Sequence, residues 1–146
     1  MSEEARTGEI ERVLRQATVW MGAYIKSFYN DDEEIQRMML SKETHTAKVR
    51  SICRDLALHL RLSTEEVALA ELMGLLHDTG RFRQFTVYRT FTDAISVDHA
   101  ALGIDIIEEA RILRSLSEDE RTLITFAIEN HNKKEIAPTG NDRQRF

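Results

Sequence analysis

Apolar residues recur along most of this chain at three- and four-residue steps, the spacing that turns one face of an α-helix toward a core. Ile10, Val13, Leu14, Ala17, Met21, Tyr24, Ile25 and Phe28 define a first long amphipathic helix. Asn30-Asp31-Asp32 interrupts it and offers a cap to a second segment carrying Ile35, Met38 and Met39. A third helix is expected from about Lys42 to Leu60, with His45, Val49, Ile52, Leu56 and Leu60 on one inward stripe. Ser63 and Glu66 have the spacing of a capping box. They would open a helix from Val67 to His77 that is apolar nearly all round and therefore reads as the buried centre, with Gly80 as its stop. Residues 80–97 show no helical period and read as a long loop, a kind of segment that is often functional. Ser96 would cap a helix bearing His99, Leu102, Ile106 and Ala110. Ser117 and Glu120 would box the start of a last one with Leu123, Ile124, Ala127, Ile128 and His131. From Lys133 onward the chain is polar and turn-like. The pattern predicts an all-α fold, a compact irregular bundle.

Composition narrows the class. Pro138 is the single proline and glycine is scarce, so little prevents long helices. With 146 residues and 42% hydrophobic content, the chain reads as one globular domain spanning residues 1–146. Its 20 Lys and Arg against 25 Asp and Glu give a formal charge of −5, which supplies no broad field for nucleic acid or anionic lipid. Cys53 has no internal disulfide partner, in keeping with a reducing compartment. The opening MSEEART is not a signal sequence, and the apolar run Ala17 to Ile25 is far shorter than the roughly 20 residues a bilayer requires. A cytoplasmic protein without membrane partners is expected. The first helix is open to two uses, covering the domain's own core or pairing in a homo-oligomer.

Chemistry enters through histidine. His45, His77, His99 and His131 fall on the apolar faces or ends of separate predicted helices, and Asp78 follows His77 directly. A lone histidine on such a face is ordinarily hydrogen-bonded within the core, and His59 is read that way. Four buried imidazoles and a carboxylate are another matter. Left without partners, each such polar group would cost about 1–3 kcal/mol, and a metal removes that cost. Short-range cysteine pairs of the structural-zinc kind are missing. Histidine and carboxylate ligands suit one or two divalent transition metals (Fe, Mn, Ni or Zn) in an open site. Four histidines exceed what one open ion usually needs, which favours two metals bridged by Asp78, with a water or hydroxide between them as nucleophile.

The order histidine, histidine–aspartate, later histidines resembles the HD-domain superfamily of metal-dependent phosphohydrolases. The resemblance runs from about Glu43 to the end and is strongest in Leu75-Leu76-His77-Asp78-Thr79-Gly80-Arg81-Phe82. The segment TFTDAISVDHAALG, residues 90–103, is similar to a subgroup of bacterial HD proteins of mostly unassigned substrate. The resemblance implies His45, His77 and Asp78 as ligands of a first metal. His99 and His131 then match the extra histidines of members that hold two. It implies hydrolysis of a nucleotide or other small phosphate ester through metal-bound hydroxide, with Arg81 placed to grip a substrate phosphate. An arginine merely favoured by the helix C-terminal dipole is the other reading of Arg81. Asp93 would orient a ligand or shuttle a proton, and Asp98 would favour a helix N-terminus. Glu129, Asn130, Lys133 and Lys134 are read as solvated charge and polarity at a cleft mouth. Phe82, Phe85, Tyr88 and Phe91 are read as loop packing, with a base-stacking wall as the alternative. Two rivals share the ligand set: a di-iron oxygenase of HD type and a non-catalytic nucleotide-sensing module.

The family pattern closes with a helical aspartate well after the last histidine. This chain runs fifteen residues beyond His131, with Asp142 as the only aspartate among them. The expectation is a domain truncated at its C-terminus, its final aspartate lying past Phe146.

Overall fold

Residues 2–133 are described by a computed structural model. Among them are six α-helices and no strand: α1 (Glu3–Lys26), α2 (Glu33–His59), α3 (Thr64–Leu76), α4 (Thr79–Tyr88), α5 (His99–Ala110) and α6 (Glu118–Asn130), with a 3-10 turn at Asp93–Ile95. The helix starts are chemically marked. Side-chain oxygens of Ser2, Asp32, Ser63, Asp98 and Ser117 accept the first free backbone N–H groups of α1, α2, α3, α5 and α6. At Ser117 the full reciprocal box with Glu120 forms, as expected.

The apolar α3 is the centre. It packs against α1, α2 and α6, while α5 lies across α4 and α6. Ala68, Leu69, Leu72, Leu75 and Leu76 are buried there against Ile10, Val13, Ala17, Met21 and Ile25 of α1. The first helix therefore covers the domain's own core. No helix among the described residues is long and apolar enough to cross a membrane.

Three expectations are corrected. First, the separate helices around Ile35 and Lys42–Leu60 are one continuous α2. Nothing between them is a stop: Met38 to Lys42 contains no glycine or proline. Its inward stripe is also displaced by one residue. Ile35, Met39, Thr46 and Ala57 are buried, while Ile52, Leu56 and Leu60 are about half exposed. The cause is the closeness of α2 to α3. A Cβ on Gly74 would lie 2.9 Å from Arg50 Cα and 3.0 Å from Cys53 Sγ, so only small side chains fit between the two axes.

Second, the first nine residues of the supposed loop, 80–88, are helical and belong to α4. Gly80 does not stop α3, which ends at Leu76; it lies inside α4 against α5. A Cβ there would be 2.1 Å from the His99 carbonyl oxygen, and Gly103 faces it across the contact. The glycine is a close-approach residue rather than a breaker. Third, Asp98 rather than Ser96 caps α5; the Ser96 hydroxyl instead donates to Thr92 O and accepts from Gln84. The aromatic residues of this region pack. Phe82 and Phe85 are buried, Phe91 stacks on Phe85 at 4.7 Å, and Tyr88 stays half exposed.

Candidate metal centre

The corner between α3 and α4 is only two residues long, and those residues are His77 and Asp78. Their side chains meet because the chain turns there. Asp78 is buried, its side chain 5% exposed, and its two oxygens are shared out. Oδ2 lies 3.4 Å from His45 Nε2 and 3.3 Å from His77 Nε2, which are 3.4 Å from each other. Oδ1 lies 3.4 Å from His99 Nε2 and 3.2 Å from His131 Nε2, themselves 2.9 Å apart. Histidines from α2, the α3–α4 corner, the start of α5 and the end of α6 thus form two three-membered groups with Asp78 common to both.

Outer partners fix how three of the rings present themselves. His77 Nδ1 donates to Gly74 O at 2.7 Å, His131 Nδ1 to Ile128 O at 2.5 Å, and His99 Nδ1 to Asp93 Oδ2 at 2.7 Å. Each partner can only accept, so Nδ1 carries a proton and Nε2, the nitrogen left to bind a ligand, turns toward Asp78. Two Nε2 atoms 2.9 Å apart repel as bare lone pairs, so a proton or a metal cation must stand between them. The spacing also suits a metal. Atoms bound at about 2.0–2.1 Å with angles between square and tetrahedral stand roughly 2.9–3.4 Å apart. The donor set, imidazole nitrogen with one carboxylate, fits a divalent transition ion.

Burial pushes the Asp78 carboxyl up, but hydrogen bonds from His131, His77 and His99 outweigh it and hold the group far below the ordinary carboxylate range. The space between Asp78 and the four Nε2 atoms therefore favours positive charge, whether carried on Nε2–H or by a metal. His45 is pulled below the usual imidazole value, mainly by partial burial, with Asp78 opposing and Lys42 reinforcing the shift.

Asp93 lies in the loop before α5 and holds His99 through both oxygens. Burial raises its carboxyl, and bonds from Gln84 and His99 bring it below the ordinary value. Arg81 is tied inward. Its Nη1 donates to Gln84 Oε1, Phe91 O and Asp93 Oδ1 at 2.8, 2.6 and 3.1 Å. Its buried Nε faces Asp78 Oδ1 at 3.9 Å without a hydrogen-bond acceptor. Nη1 and Nε are thus turned inward and brace two carboxylates, although the side chain as a whole is 18% exposed.

Two residues near the site escape a reading by hydrophobic period. Gln84 is completely buried, accepts from Arg81, and donates to Asp93 Oδ1, Ser96 Oγ and Val97 O. A glutamine next to Phe85 and two residues from Phe82, in the mixed segment 81–86, gave little signal of burial. Lys42 stands three residues before His45, hence on the same helix face, with Nζ 3.7 Å from Asp78 Oδ2. Glu129 is exposed, Asn130 is buried rather than solvated and donates to Phe126 O, and Lys133 donates to Glu129 O. His59 ends α2 exposed to solvent, so the reading of it as a core histidine is corrected, and it belongs to neither three-membered group. Lys134 and Asp142 lie outside the described residues.

Comparison with known proteins adds one finding. The family model for the HD domain matches residues 43–145, more than two thirds of the chain. No curated protein and no solved structure matches it. A histidine–aspartate pair at a helix corner, ringed by histidines from three other elements, and a family match over the same residues lead to one conclusion: the chain belongs to the HD-domain family, in general a family of metal-dependent phosphohydrolases.

Proposed function

We propose that this chain hydrolyses a small phosphate ester, a nucleotide or comparable phosphorylated metabolite, with two divalent transition metals. His45, His77 and Asp78 would hold one, and Asp78, His99 and His131 the other. The observation that carries the reading is the division of Asp78, with a different pair of Nε2 atoms against each oxygen. Bound metal supplies Lewis acidity, both to acidify water and to offset charge on phosphoryl oxygens.

The protein's own residues do the rest. Asp93 keeps His99 in the Nδ1–H tautomer, as a carboxylate behind a ligating histidine does. That makes it an orienting group, and its hydrogen bonds to His99, Gln84 and Arg81 leave little room for a proton-shuttle role. Gln84 and Arg81 hold Asp93 in turn. The His45 side chain is 45% exposed while that of His99 is 1% exposed, so substrate would reach the centre from the α2 side.

Elemental analysis of the purified chain, paired with phosphate release from a panel of nucleotides, tests this. Two metals per chain are expected, both lost in Asp78→Ala. A folded protein that takes up no metal would overturn the proposal. Dioxygen consumption in place of phosphate release would overturn the hydrolase assignment.

A further inference from the structure

We infer that Lys42 is the substrate-binding cation of this site, the residue that takes the phosphate of the ester. The inference rests on the metal-dependent reading above and assigns a task that reading leaves open. Three observations carry it. Arg81, the other cation beside Asp78, has its Nη1 bound to three internal acceptors and its Nε sealed from solvent. Lys42 is held far more loosely. Its ammonium lies over the Phe91 ring at 4.9 Å and meets Asp78 Oδ2 at 3.7 Å, beyond hydrogen-bond reach. Finally, Lys42 is one helical turn from His45, the most exposed of the four clustered histidines; in overall exposure the lysine and Arg81 side chains differ little, at 20% and 18%. It therefore stands at the open side of the centre.

Charge governs how the lysine responds when divalent ions enter. In their absence Lys42 is a counter-ion for Asp78, competing for the same Oδ2 that faces His45 and His77. Positive charge placed on that oxygen repels the ammonium. Its flexible stem lets the charge swing away from Asp78 toward the open side beside His45, where an arriving phosphate dianion is the matching partner. One side chain would thus weaken metal binding and strengthen phosphate binding. A purely structural counter-ion would affect only the metal-free protein.

The test uses Lys42→Met and Lys42→Arg beside the unaltered chain. Mn²⁺ binding is measured first, then inorganic phosphate binding to the Mn²⁺-loaded proteins, both by calorimetry. Lys42→Met should bind Mn²⁺ more tightly and phosphate about tenfold or more weakly, as loss of a charged hydrogen bond predicts. Lys42→Arg should restore most of the phosphate affinity. Unchanged phosphate affinity in a Lys42→Met protein that binds Mn²⁺ normally overturns the assignment and leaves the metal-dependent reading intact. Failure of the unaltered chain to bind Mn²⁺ strikes at that reading instead. Failure of Lys42→Met alone to bind Mn²⁺ overturns the claim that the ammonium competes for Asp78.

Discussion

The two sides of Asp78 are built differently. On the Oδ1 side, His99 is sealed from solvent and locked through Asp93 to Gln84 and Arg81, a chain of hydrogen bonds anchored in α4. On the Oδ2 side, His45 is nearly half exposed, and its neighbour is a flexible lysine rather than a carboxylate. His77 alone is firmly placed there, by Gly74 O. A rigid half determines geometry whether or not a ligand is present; a loose half can admit one and adapt. The asymmetry assigns preorganisation to the α4–α5 side and access to the α2 side.

Removing the shared residue should erase the contrast. Asp78→Ala is expected to abolish metal uptake on both sides, read as loss of every bound equivalent by elemental analysis. Retention of one equivalent would show that the halves do not depend on a common carboxylate.

Next in size is the close approach that sets the rigid half. Gly80→Ala drives a Cβ into the His99 carbonyl oxygen, backbone against backbone, and should lower stability by about 1–3 kcal/mol or more, with displacement of α5. Gly22→Ala is the control. It meets nothing within 4 Å in α1, so thermal or denaturant unfolding should show a gain of about 0.5–1 kcal/mol. Equal effects from the two substitutions would refute the packing account.

A finer cut separates the halves. Asp93→Ala should weaken one of the two metals about 10–100-fold, the usual consequence of losing a carboxylate behind a ligating histidine, and leave the other near its original affinity. His45→Ala should do the reverse. Titration of both variants with Mn²⁺ or Zn²⁺ measures this, and a uniform loss in either would mean that the sides are one cooperative unit.

The smallest effect is in pH. His45 in the folded chain titrates below its unfolded value of about 6.5. The unfolded state therefore binds the proton first, and metal-free stability should decline as pH falls below about 6.5, until the folded-state value is passed. His45→Asn should flatten that part of the profile in denaturant unfolding. The slope stays modest because the ring is partly in water.

The legibility of the sequence varied with the physics behind each signal. Capping side chains act over three residues, so Asp32, Ser63 and Ser117 marked helix starts correctly. The all-round apolar α3 could only be central. The inward stripe of α2 was misplaced because the largest apolar residues, Ile52, Leu56 and Leu60, do not face the core. At Gly74 the two helices approach so closely that Arg50 Cα and Cys53 Sγ lie against it, and the buried positions of this part of α2 are the small Thr46 and Ala57, a criterion that hydrophobicity does not contain. Gly80 misled for a related reason. A glycine that permits contact and one that ends a helix are the same letter, and the difference is held by α5, nineteen residues on at His99.

Local spacing and residue type were enough to establish the helical class and the starts of α2, α3 and α6, and they singled out His45, His77, Asp78, His99 and His131 as candidate ligands. They left open which oxygen of Asp78 meets which histidines, that Asp93 and Gln84 stand behind His99, and that Arg81 turns inward while Lys42 remains loosely held. Those choices depend on distances between residues tens of positions apart. They are fixed only when α2 and α5 close on the short corner at His77 and Asp78.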